Sequence, residues 1–168
     1  MDCIFCNIAN KVIPSRIIAE TNNSIAFLDA LPLSRGHTLV IPKLHYEKVQ
    51  DMTDVDNTDL FDTVHMVMSK VDKITGATLL AIHNGKDSGQ EIPHVHVHLI
   101  PRQASDHAGS VHRMFDNGPN LSDKELDDLC NEIKNLYLMR KDFFSRFSFA
   151  NLNCLSWTCL CSIHYFSI

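Results

Sequence analysis

Residues 93–102 read PHVHVHLIPR and alternate imidazoles with branched apolar side chains. The histidines are His94, His96 and His98, and the apolar residues that alternate with them are Val95, Val97 and Leu99. Because successive side chains on a β-strand point to opposite faces, a strand here places the imidazoles on one face and the apolar side chains on the other. The apolar face predicts a strand that packs against a core.

Three interpretations of the histidine face are open. The face can be merely polar, although Thr, Lys or Glu serve a solvated surface equally well. The three imidazoles can chelate one metal ion and leave a position open for water. Alternatively, one neutral imidazole can act as a nucleophile while its neighbours orient it and neutralise charge on a phosphoryl group.

The loop before these histidines favours phosphate chemistry. It contains Asn84, Gly85, Ser88, Gly89 and Gln90. Backbone N–H groups of a short glycine-bearing connection can point at an anion, which suits phosphate oxygens better than a bare metal site. The position of this loop directly before the histidines therefore indicates a phosphate site.

Strand and helix patterns alternate along the rest of the chain. Segments of strand character cover residues 16–20, 24–29, 37–42, 77–83 and 94–100. Helical stripes cover residues 59–74 and 122–137, and a capping box of Ser122 and Glu125 opens the second. We predict an α+β fold, with an antiparallel sheet of about five strands and two main helices on one side.

The second helix carries an apolar stripe, which we expect to be buried. Its members are Leu126, Leu129, Cys130, Ile133, Leu136 and Tyr137. Cys130 stands apart from the other cysteines in the sequence, and we expect it to lie in the core.

Composition limits the class of protein. The 168 residues, 45% of them hydrophobic, suffice for one ordinary core. A net charge of −5 argues against binding to nucleic acid. The opening MDCIFCNIAN lacks a basic segment followed by a long apolar run, so we expect a cytoplasmic protein without disulfides. In that compartment, Cys3 and Cys6 in a C-x-x-C pair indicate metal binding or redox chemistry.

The C-terminal residues differ in composition from the rest. Residues 147–168 contain no Asp, Glu, Lys or Arg, but eight of these twenty-two residues are Ser, Thr, Asn or His. That polar content makes membrane insertion costly, so a membrane anchor is not expected. We divide the chain into a domain over residues 1–142 and an apolar tail over residues 143–168.

Separated stretches of the chain resemble the histidine-triad (HIT) family of nucleotide-binding proteins. They are H-V-H-V-H-L-I with the preceding G-Q-E-I-P, the upstream R-G-H-T-L-V-I-P-K-L-H, and the opening C-I-F-C-N-I. The chain resembles the prokaryotic, zinc-carrying branch of the Hint-like subgroup more than the diadenosine-polyphosphate hydrolases of the Fhit type. This resemblance implies a homodimer with a continuous sheet.

The resemblance also implies a two-step displacement at the α-phosphorus of a purine nucleotide. His96, the middle histidine, would attack phosphorus and form a nucleotidyl-histidine, which water would hydrolyse to a nucleoside monophosphate. His98 would contact the phosphate oxygens, with help from Gln90 and from backbone N–H groups near Gly89.

Other positions of the family motif imply substrate and metal contacts. Phe27 and Asp29 match the residues that hold the base and the ribose hydroxyls, His37 matches a supporting histidine, and Asn84 belongs to the substrate-binding loop. The four zinc ligands of the branch correspond to Cys3, Cys6, His45 and His94. Two thiolates and two imidazoles form a closed structural zinc site without an open position for water.

Two positions depart from the eukaryotic phosphoramidase subgroup. That subgroup carries a serine where this chain has Glu91 and an asparagine where it has His83, and both positions bear on the leaving group. A carboxylate there could favour cationic amines, or it could simply form a different hydrogen bond. Trp157 in the tail does not replace the Trp-containing C-terminus of that subgroup.

Four functions follow from these residues. The first is a hydrolase of adenosine phosphoramidates or acyl-adenylates, and the second is a nucleotide-binding adaptor whose turnover is incidental. The third is a diadenosine-polyphosphate hydrolase. The fourth is a metal hydrolase whose metal ligands are His94, His96 and His98, which would leave Cys3 and Cys6 without a role.

Overall fold

Five strands form a single antiparallel sheet. The computed structural model describes residues 3–114 and 118–148. The strands are β1 (Ile17–Glu20), β2 (Ser24–Leu28), β3 (Thr38–Pro42), β4 (Thr78–Ala81) and β5 (Val97–Pro101). Their order across the sheet is β1-β2-β3-β5-β4, and every neighbouring pair is antiparallel. The predicted α+β fold with a five-stranded antiparallel sheet is confirmed.

The α-helices within the described residues are α1 (Ile4–Ala9), α2 (Asp54–Val71) and α3 (Asp123–Ser148). Helix α2 begins five residues before its predicted start, because the Thr53 hydroxyl accepts a hydrogen bond from the Asp56 N–H and caps the helix. The predicted capping box at α3 is present, since the Ser122 N–H donates to the Glu125 carboxylate at 2.8 Å. Helix α1 follows the first cysteine and was not predicted.

The described residues divide into two compact units, one up to Ala108 and one from Gly109 onward. In the first unit, α2 covers one face of the sheet. Its apolar stripe packs against alternate residues of the central strands in a buried cluster that includes Leu60, Val64, Val67, Val71, Ala26, Val40, Val95, Val97 and Leu99. The expectation that the apolar residues between the histidines face a core is therefore confirmed.

The opposite face of the sheet carries a second buried cluster. Here α1 supplies Phe5, Ile8 and Ala9, which pack against Ile25, Phe27, Leu39 and Ile41. This is also the face of the histidines, because His98 pairs with Leu39 across β3 and β5. The N-terminal segment thus helps to build the site described below.

In the second unit, α3 exposes its apolar stripe. Leu126, Leu129, Ile133 and Leu136 are between 43% and 66% exposed, and Cys130 is also exposed. The prediction that these residues are buried is wrong, because an apolar period identifies a face of a helix without specifying what covers it. Tyr137 has its side chain outside the described residues.

The predicted domain boundary at residue 142 falls inside helix α3. Helix α3 continues to Ser148, six residues beyond that point, and the remainder of the predicted tail, residues 149–168, lies outside the described residues. Among the described helices, none is both long and apolar enough to cross a bilayer.

Candidate active site and metal cluster

The histidine segment leaves the sheet just before its strand begins. Strand β5 starts at Val97, so His94 and His96 precede it. There the Val95 N–H donates to the carbonyl of Tyr46 at 2.7 Å instead of pairing with β3. The side chains still alternate: Val95 lies in the core under α2, while His94 and His96 are buried on the other face.

His96 has one ring nitrogen occupied and one free. Its Nδ1 lies 2.6 Å from the backbone carbonyl of His94. A carbonyl only accepts, so Nδ1 carries the proton and Nε2 keeps its lone pair. Burial lowers the pKa of His96, and the ring is neutral near pH 7. An imidazole in this state can act as a nucleophile.

A chain of hydrogen bonds fixes the tautomer of His98. The Leu33 N–H donates to His37 Nδ1 at 3.2 Å, which leaves the proton of His37 on Nε2. That nitrogen lies 3.0 Å from His98 Nδ1 and donates to it. His98 therefore carries its own proton on Nε2 and is a hydrogen-bond donor, the form needed to contact a phosphate oxygen.

Asp29 lies beside this chain of hydrogen bonds. One of its carboxylate oxygens accepts from the Leu31 N–H at 2.9 Å, and the other lies 3.4 Å from His37 Nδ1. Burial lowers the pKa of His37, and the Asp29 carboxylate acts in the opposite sense. Because His37 Nδ1 already accepts the Leu33 N–H, this second oxygen receives no hydrogen bond from His37 and is available to a ligand.

A cavity of about 440 Å³ connects these groups. Its lining includes Phe27, Asp29, His37, His83, Gly89, Glu91, His96 and His98. Six of the residues predicted for substrate binding or catalysis are therefore brought together: Phe27, Asp29, His37, Gly89, His96 and His98. The volume is in the range of small-molecule sites.

Two predicted residues use their side chains elsewhere. Asn84 accepts from the Val49 N–H and donates to the side chain of Gln50. Gln90 accepts from the Gly85 N–H at 2.7 Å and donates to the carbonyl of Glu47 at 2.8 Å. Neither side chain lines the cavity, and both hold the loop in place.

The backbone donors of this loop are also occupied. The N–H groups of Ser88, Gly89 and Gln90 donate to carbonyls of Gly85 and Lys86. In this structure these N–H groups close the loop on itself. The sequence analysis had instead indicated that they would point at an anion. Among the side chains that line the cavity, the imidazoles are the ones that can donate a hydrogen bond to a phosphate.

The sequence did not predict that Phe5 contacts the histidines. It also gave no catalytic role to His83 and Glu91, which line the cavity. Phe5 packs its ring edge-on against His94 and His96, with centroid separations of 5.8 and 5.2 Å. Its apolar position inside C-I-F-C was the available signal. His83 and Glu91 line the cavity but entered the sequence analysis only as departures from a family subgroup.

A separate group of side chains can hold a metal ion. The ligand atoms of Cys3, Cys6, His45 and His94 all lie within 4.8 Å of one another. His94 Nε2 lies 2.9 Å from the carbonyl of Pro42 and donates to it, which leaves Nδ1 as the ligand atom. Burial lowers the pKa of His94 to about 4, so this nitrogen is unprotonated at neutral pH.

The spacing of these donors fits a tetrahedral site. His94 Nδ1 lies 3.4 Å from the Cys3 sulfur and 3.6 Å from the Cys6 sulfur, and His45 Nδ1 lies 3.4 Å from the Cys6 sulfur. Zinc bonds of about 2.3 Å to sulfur and about 2.0 Å to nitrogen at tetrahedral angles separate the two donors by about 3.5 Å. The residues present therefore fit the metal.

The three histidines of the motif do not share a metal here. Among the described residues, the only other set close enough to bind an ion is Asp29, His37 and His98, and His96 belongs to neither set. Instead, the backbone carbonyl of His94 accepts a hydrogen bond from the Nδ1–H of His96. The Cys/His cluster is thus coupled to the orientation of His96 through one backbone group.

We predict that the protein loses stability in acid between about pH 6.5 and pH 4, in part through His98. Burial, and then the neighbouring His96, His37 and His83, lower the pKa of His98 to about 4. Unfolded histidine titrates near 6.5, so between these values the unfolded chain binds a proton that the folded chain does not. The free energy of unfolding therefore falls as the pH falls through this window.

Urea denaturation at pH 7.5, 6.0 and 5.0 measures this effect. We expect His98→Asn to lose less stability over this range than the wild-type protein. His65→Asn, on the exposed side of α2, should lose as much free energy of unfolding over this pH range as the wild-type protein. If His98→Asn and the wild-type protein lost the same free energy of unfolding over this pH range, His98 would not be a cause of the acid sensitivity.

The fold and the site together define a small α+β domain in which a buried imidazole that could act as a nucleophile lies beside a Cys/His cluster that can hold a metal ion. The HIT domain family model matches residues 10–105. An uncharacterized HIT-like protein of Methanocaldococcus jannaschii is 37% identical over 134 residues, which are 79% of this chain and 98% of that protein. The chain belongs to the HIT family.

Characterised and solved relatives agree with this membership. The adenosine 5′-monophosphoramidase of Saccharomyces cerevisiae is 43% identical over 101 residues, 60% of this chain and 63% of that protein. The crystal structure of a HIT family member from Bacillus subtilis matches with a TM-score of 0.73 and 30% identity, over 80% of this chain and 96% of that chain. Relatives of this kind support nucleotide hydrolysis as the general class of activity.

Proposed function

We propose that this chain hydrolyses purine nucleotides of the adenosine phosphoramidate or acyl-adenylate type at the α-phosphate, through a nucleotidyl-histidine on His96. The observation that carries the proposal is the hydrogen bond from His96 Nδ1 to the His94 carbonyl, which fixes a free Nε2 in a substrate-sized cavity. The similarity to an adenosine monophosphoramidase supports the same class of substrate.

The proposed reaction has two displacements. In the first, the Nε2 lone pair of His96 forms a bond to the α-phosphorus as the bond to the leaving nitrogen or oxygen breaks. In the second, water attacks the same phosphorus, the bond between phosphorus and Nε2 breaks, and a nucleoside monophosphate departs. The Nε2–H of His98 donates to a phosphate oxygen whose negative charge grows in each transition state.

Substrate binding follows from the lining of the cavity. Phe27 offers an aromatic surface to the base, and the free carboxylate oxygen of Asp29 accepts hydrogen bonds from the ribose hydroxyls. Through its hydrogen bond to His98, His37 acts as a positioning residue. Asn84 and Gln90 act indirectly, because they hold the loop that carries Gly89.

The metal of the Cys/His cluster is proposed to be zinc in a structural role. Cys3, Cys6, His45 and His94 would hold it, and its charge would offset the ionisation of two thiols. Burial raises the pKa of the Cys6 thiol, so in the absence of a cation this sulfur stays protonated. This donor set supports the proposal that the chain belongs to the zinc-carrying branch of the family, and two free thiols suit the reducing cytoplasm.

The proposed assembly is a homodimer with a continuous sheet. Strand β4 is an edge of the sheet, and its Leu79 and Leu80 are 38% and 43% exposed. A second copy that pairs with this edge would bury apolar surface and satisfy open backbone groups.

Release of AMP from adenosine 5′-phosphoramidate tests the proposed function, with diadenosine tetraphosphate as the competing substrate. We expect AMP to be released from the phosphoramidate many times per enzyme molecule. A preference for the tetraphosphate would favour the polyphosphate hydrolase. Tight binding of AMP without turnover of either compound would favour the nucleotide-binding adaptor.

Glu91 provides a prediction about the leaving group. Glu91 lines the same cavity as His96, and its side chain is exposed. We expect Glu91→Gln to lower kcat/KM about fivefold for a phosphoramidate of 1,4-diaminobutane, whose distal ammonium is cationic, because an exposed ion pair contributes modestly. The phosphoramidate of neutral n-butylamine is the matched control.

Steady-state rates on both substrates decide this prediction. A similar loss on the butylamine and diaminobutane compounds would show that Glu91 does not read the charge of the leaving group.

A further inference from the structure

Cys3 and Cys6 supply the two sulfurs of the Cys/His cluster, and a C-x-x-C pair can also undergo redox chemistry. Cys3 is the N-cap of α1, and Cys6 lies three residues further on, in the first turn. Both sulfurs contact the same atom, His94 Nδ1, at 3.4 and 3.6 Å. The ligand atoms of the cluster, which include both sulfurs, lie within 4.8 Å of one another. A small movement is therefore enough to join the two sulfurs.

The backbone of this turn satisfies the requirements of a disulfide. Helix geometry separates α-carbons three residues apart by about 5 Å, inside the range of roughly 4.4 to 6.8 Å that disulfides span. Cys3 has extended backbone angles, φ −97° and ψ 119°, because it caps the helix from outside. Its side chain can rotate toward Cys6 while the helix and the sheet stay in place.

A second cavity gives a small oxidant access to this pair. Its volume is about 260 Å³. The residues that line it belong to the cluster and to the segments beside it: Cys3, Ile4, His45, Glu47, Glu91, Ile92 and Pro93. Cys6 is itself half-buried. Cysteine ligands of a metal are thiolates, the form that attacks peroxides, so hydrogen peroxide can reach sulfurs that are ready to react.

The two residues between the cysteines belong to the candidate active site. Ile4 and Phe5 both line the cavity that contains His96. The ring of Phe5 also packs edge-on against His94 and His96, with centroids 5.8 and 5.2 Å away. A disulfide closes a small loop around Ile4 and Phe5, so it shifts this aromatic contact as well as the metal ligands. The state of the two sulfurs is thus linked to the nucleotide cavity.

We propose that Cys3 and Cys6 are a site of reversible oxidation by hydrogen peroxide, which forms a disulfide, removes two metal ligands and weakens nucleotide binding. One thiolate attacks a peroxide oxygen: an S–O bond forms, the O–O bond breaks, and the departing hydroxide takes a proton to become water. The second thiolate attacks the resulting sulfenic acid: the S–S bond forms, the S–O bond breaks, and a second hydroxide takes a proton. Two sulfurs are oxidised and one peroxide is reduced to two waters.

The reverse reaction makes this modification a switch. In a reducing compartment such a disulfide is transient, because cellular thiols return it to the dithiol and the four ligands are restored. The oxidation itself is independent of the nucleotide reaction. Its effect on turnover rests on the proposed function.

Hydrogen peroxide, added in small molar excess to zinc-loaded protein, tests the proposal. The tryptic peptide of residues 1–11 contains Cys3 and Cys6 and no other cysteine. We expect this peptide to become lighter by two hydrogens and to resist alkylation, with one zinc ion released for each disulfide formed. The affinity for AMP should fall about tenfold, and dithiothreitol with added zinc should restore it.

Two variants serve as controls. Cys6→His offers the metal an imidazole in place of a thiolate and leaves Cys3 without a partner, so it should keep both zinc and AMP affinity in peroxide. Cys130→Ser removes an exposed thiol on α3 and should respond as the wild-type protein does. If Cys6→His does not fold, the peptide, zinc and AMP measurements on the wild-type protein decide the question.

The outcomes separate this proposal from the proposed function. Zinc release without a disulfide between Cys3 and Cys6, or the disulfide without a change in AMP affinity, would overturn the switch. A protein that shows the disulfide, the zinc release and the weaker AMP binding, yet turns over neither adenosine 5′-phosphoramidate nor diadenosine tetraphosphate, would retain the switch and lose the proposed function.

Discussion

Replacement of His96 by asparagine is expected to abolish turnover, with a fall in kcat of roughly 10⁴-fold or more. The asparagine amide retains an N–H for the carbonyl of His94, so the local hydrogen bond can persist. It offers no ring nitrogen with a lone pair to attack phosphorus. The variant should therefore bind AMP with an affinity close to that of the wild-type protein.

Rates of AMP release and AMP affinity, measured side by side, check this expectation. His65→Asn has the same change of residue type on the exposed face of α2 and should be fully active. Substantial turnover by His96→Asn would show that another group attacks phosphorus. Loss of AMP binding as well as turnover would point to a collapsed cavity instead of a missing nucleophile.

Loss of a metal ligand should have the second largest effect, on stability as well as activity. Cys3→Ser removes one thiolate from the cluster, and we expect the purified variant to contain less than one tenth of the stoichiometric zinc. Structural zinc sites contribute several kcal/mol to folding, so thermal unfolding should shift downward by about 10 °C or more. Activity should also fall, because the carbonyl of His94 orients His96.

The matched control for this change is Cys130→Ser, which alters an exposed thiol on α3. Zinc content by elemental analysis and unfolding by calorimetry are the measurements. If Cys3→Ser and Cys130→Ser had the same zinc content and the same Tm, the cluster would not be a metal site. A wild-type protein purified without metal but stable to chelators would also contradict the zinc proposal.

Local pattern was enough to predict the sheet and α2. Strict alternation at residues 94–99 and a helical stripe from Leu60 to Val71 each specify one apolar face, and these two faces pack together in the structure. The start of α2 was missed because its cap, Thr53, precedes the apolar stripe by seven residues. Periodicity identifies the buried part of a helix better than its polar first turns.

The prediction that the apolar stripe of α3 is buried failed for a different reason. Hydrogen bonds between Ser122 and Glu125 cap the start of the helix. Both residues lie within one turn, so this start can be predicted from local sequence. Whether Leu129 or Ile133 is buried depends on a second surface, which no pattern inside the helix describes. The prediction of a buried face was therefore beyond what the residues of the helix could establish.

The candidate site shows the same limit at finer scale. Family resemblance predicted which residues would gather, but not which hydrogen bonds they would form. Gln90 was expected at the phosphate, yet its amide is satisfied by the Gly85 N–H and the Glu47 carbonyl. The bond to Glu47 joins residues 43 apart in sequence, so it depends on how two distant segments pack. The tautomers of His96 and His98 likewise follow only from the hydrogen bonds that the structure shows.

The configuration at phosphorus provides the most direct test of covalent catalysis by His96. The measurement is hydrolysis, in ¹⁸O-labelled water, of an adenosine phosphoramidate that carries sulfur in place of one oxygen at the α-phosphorus, so that this atom is chiral. Two successive in-line displacements each invert phosphorus, so the account predicts net retention of configuration in the AMP analogue. Net inversion would mean that water attacks the substrate directly and would contradict the nucleotidyl-histidine on His96.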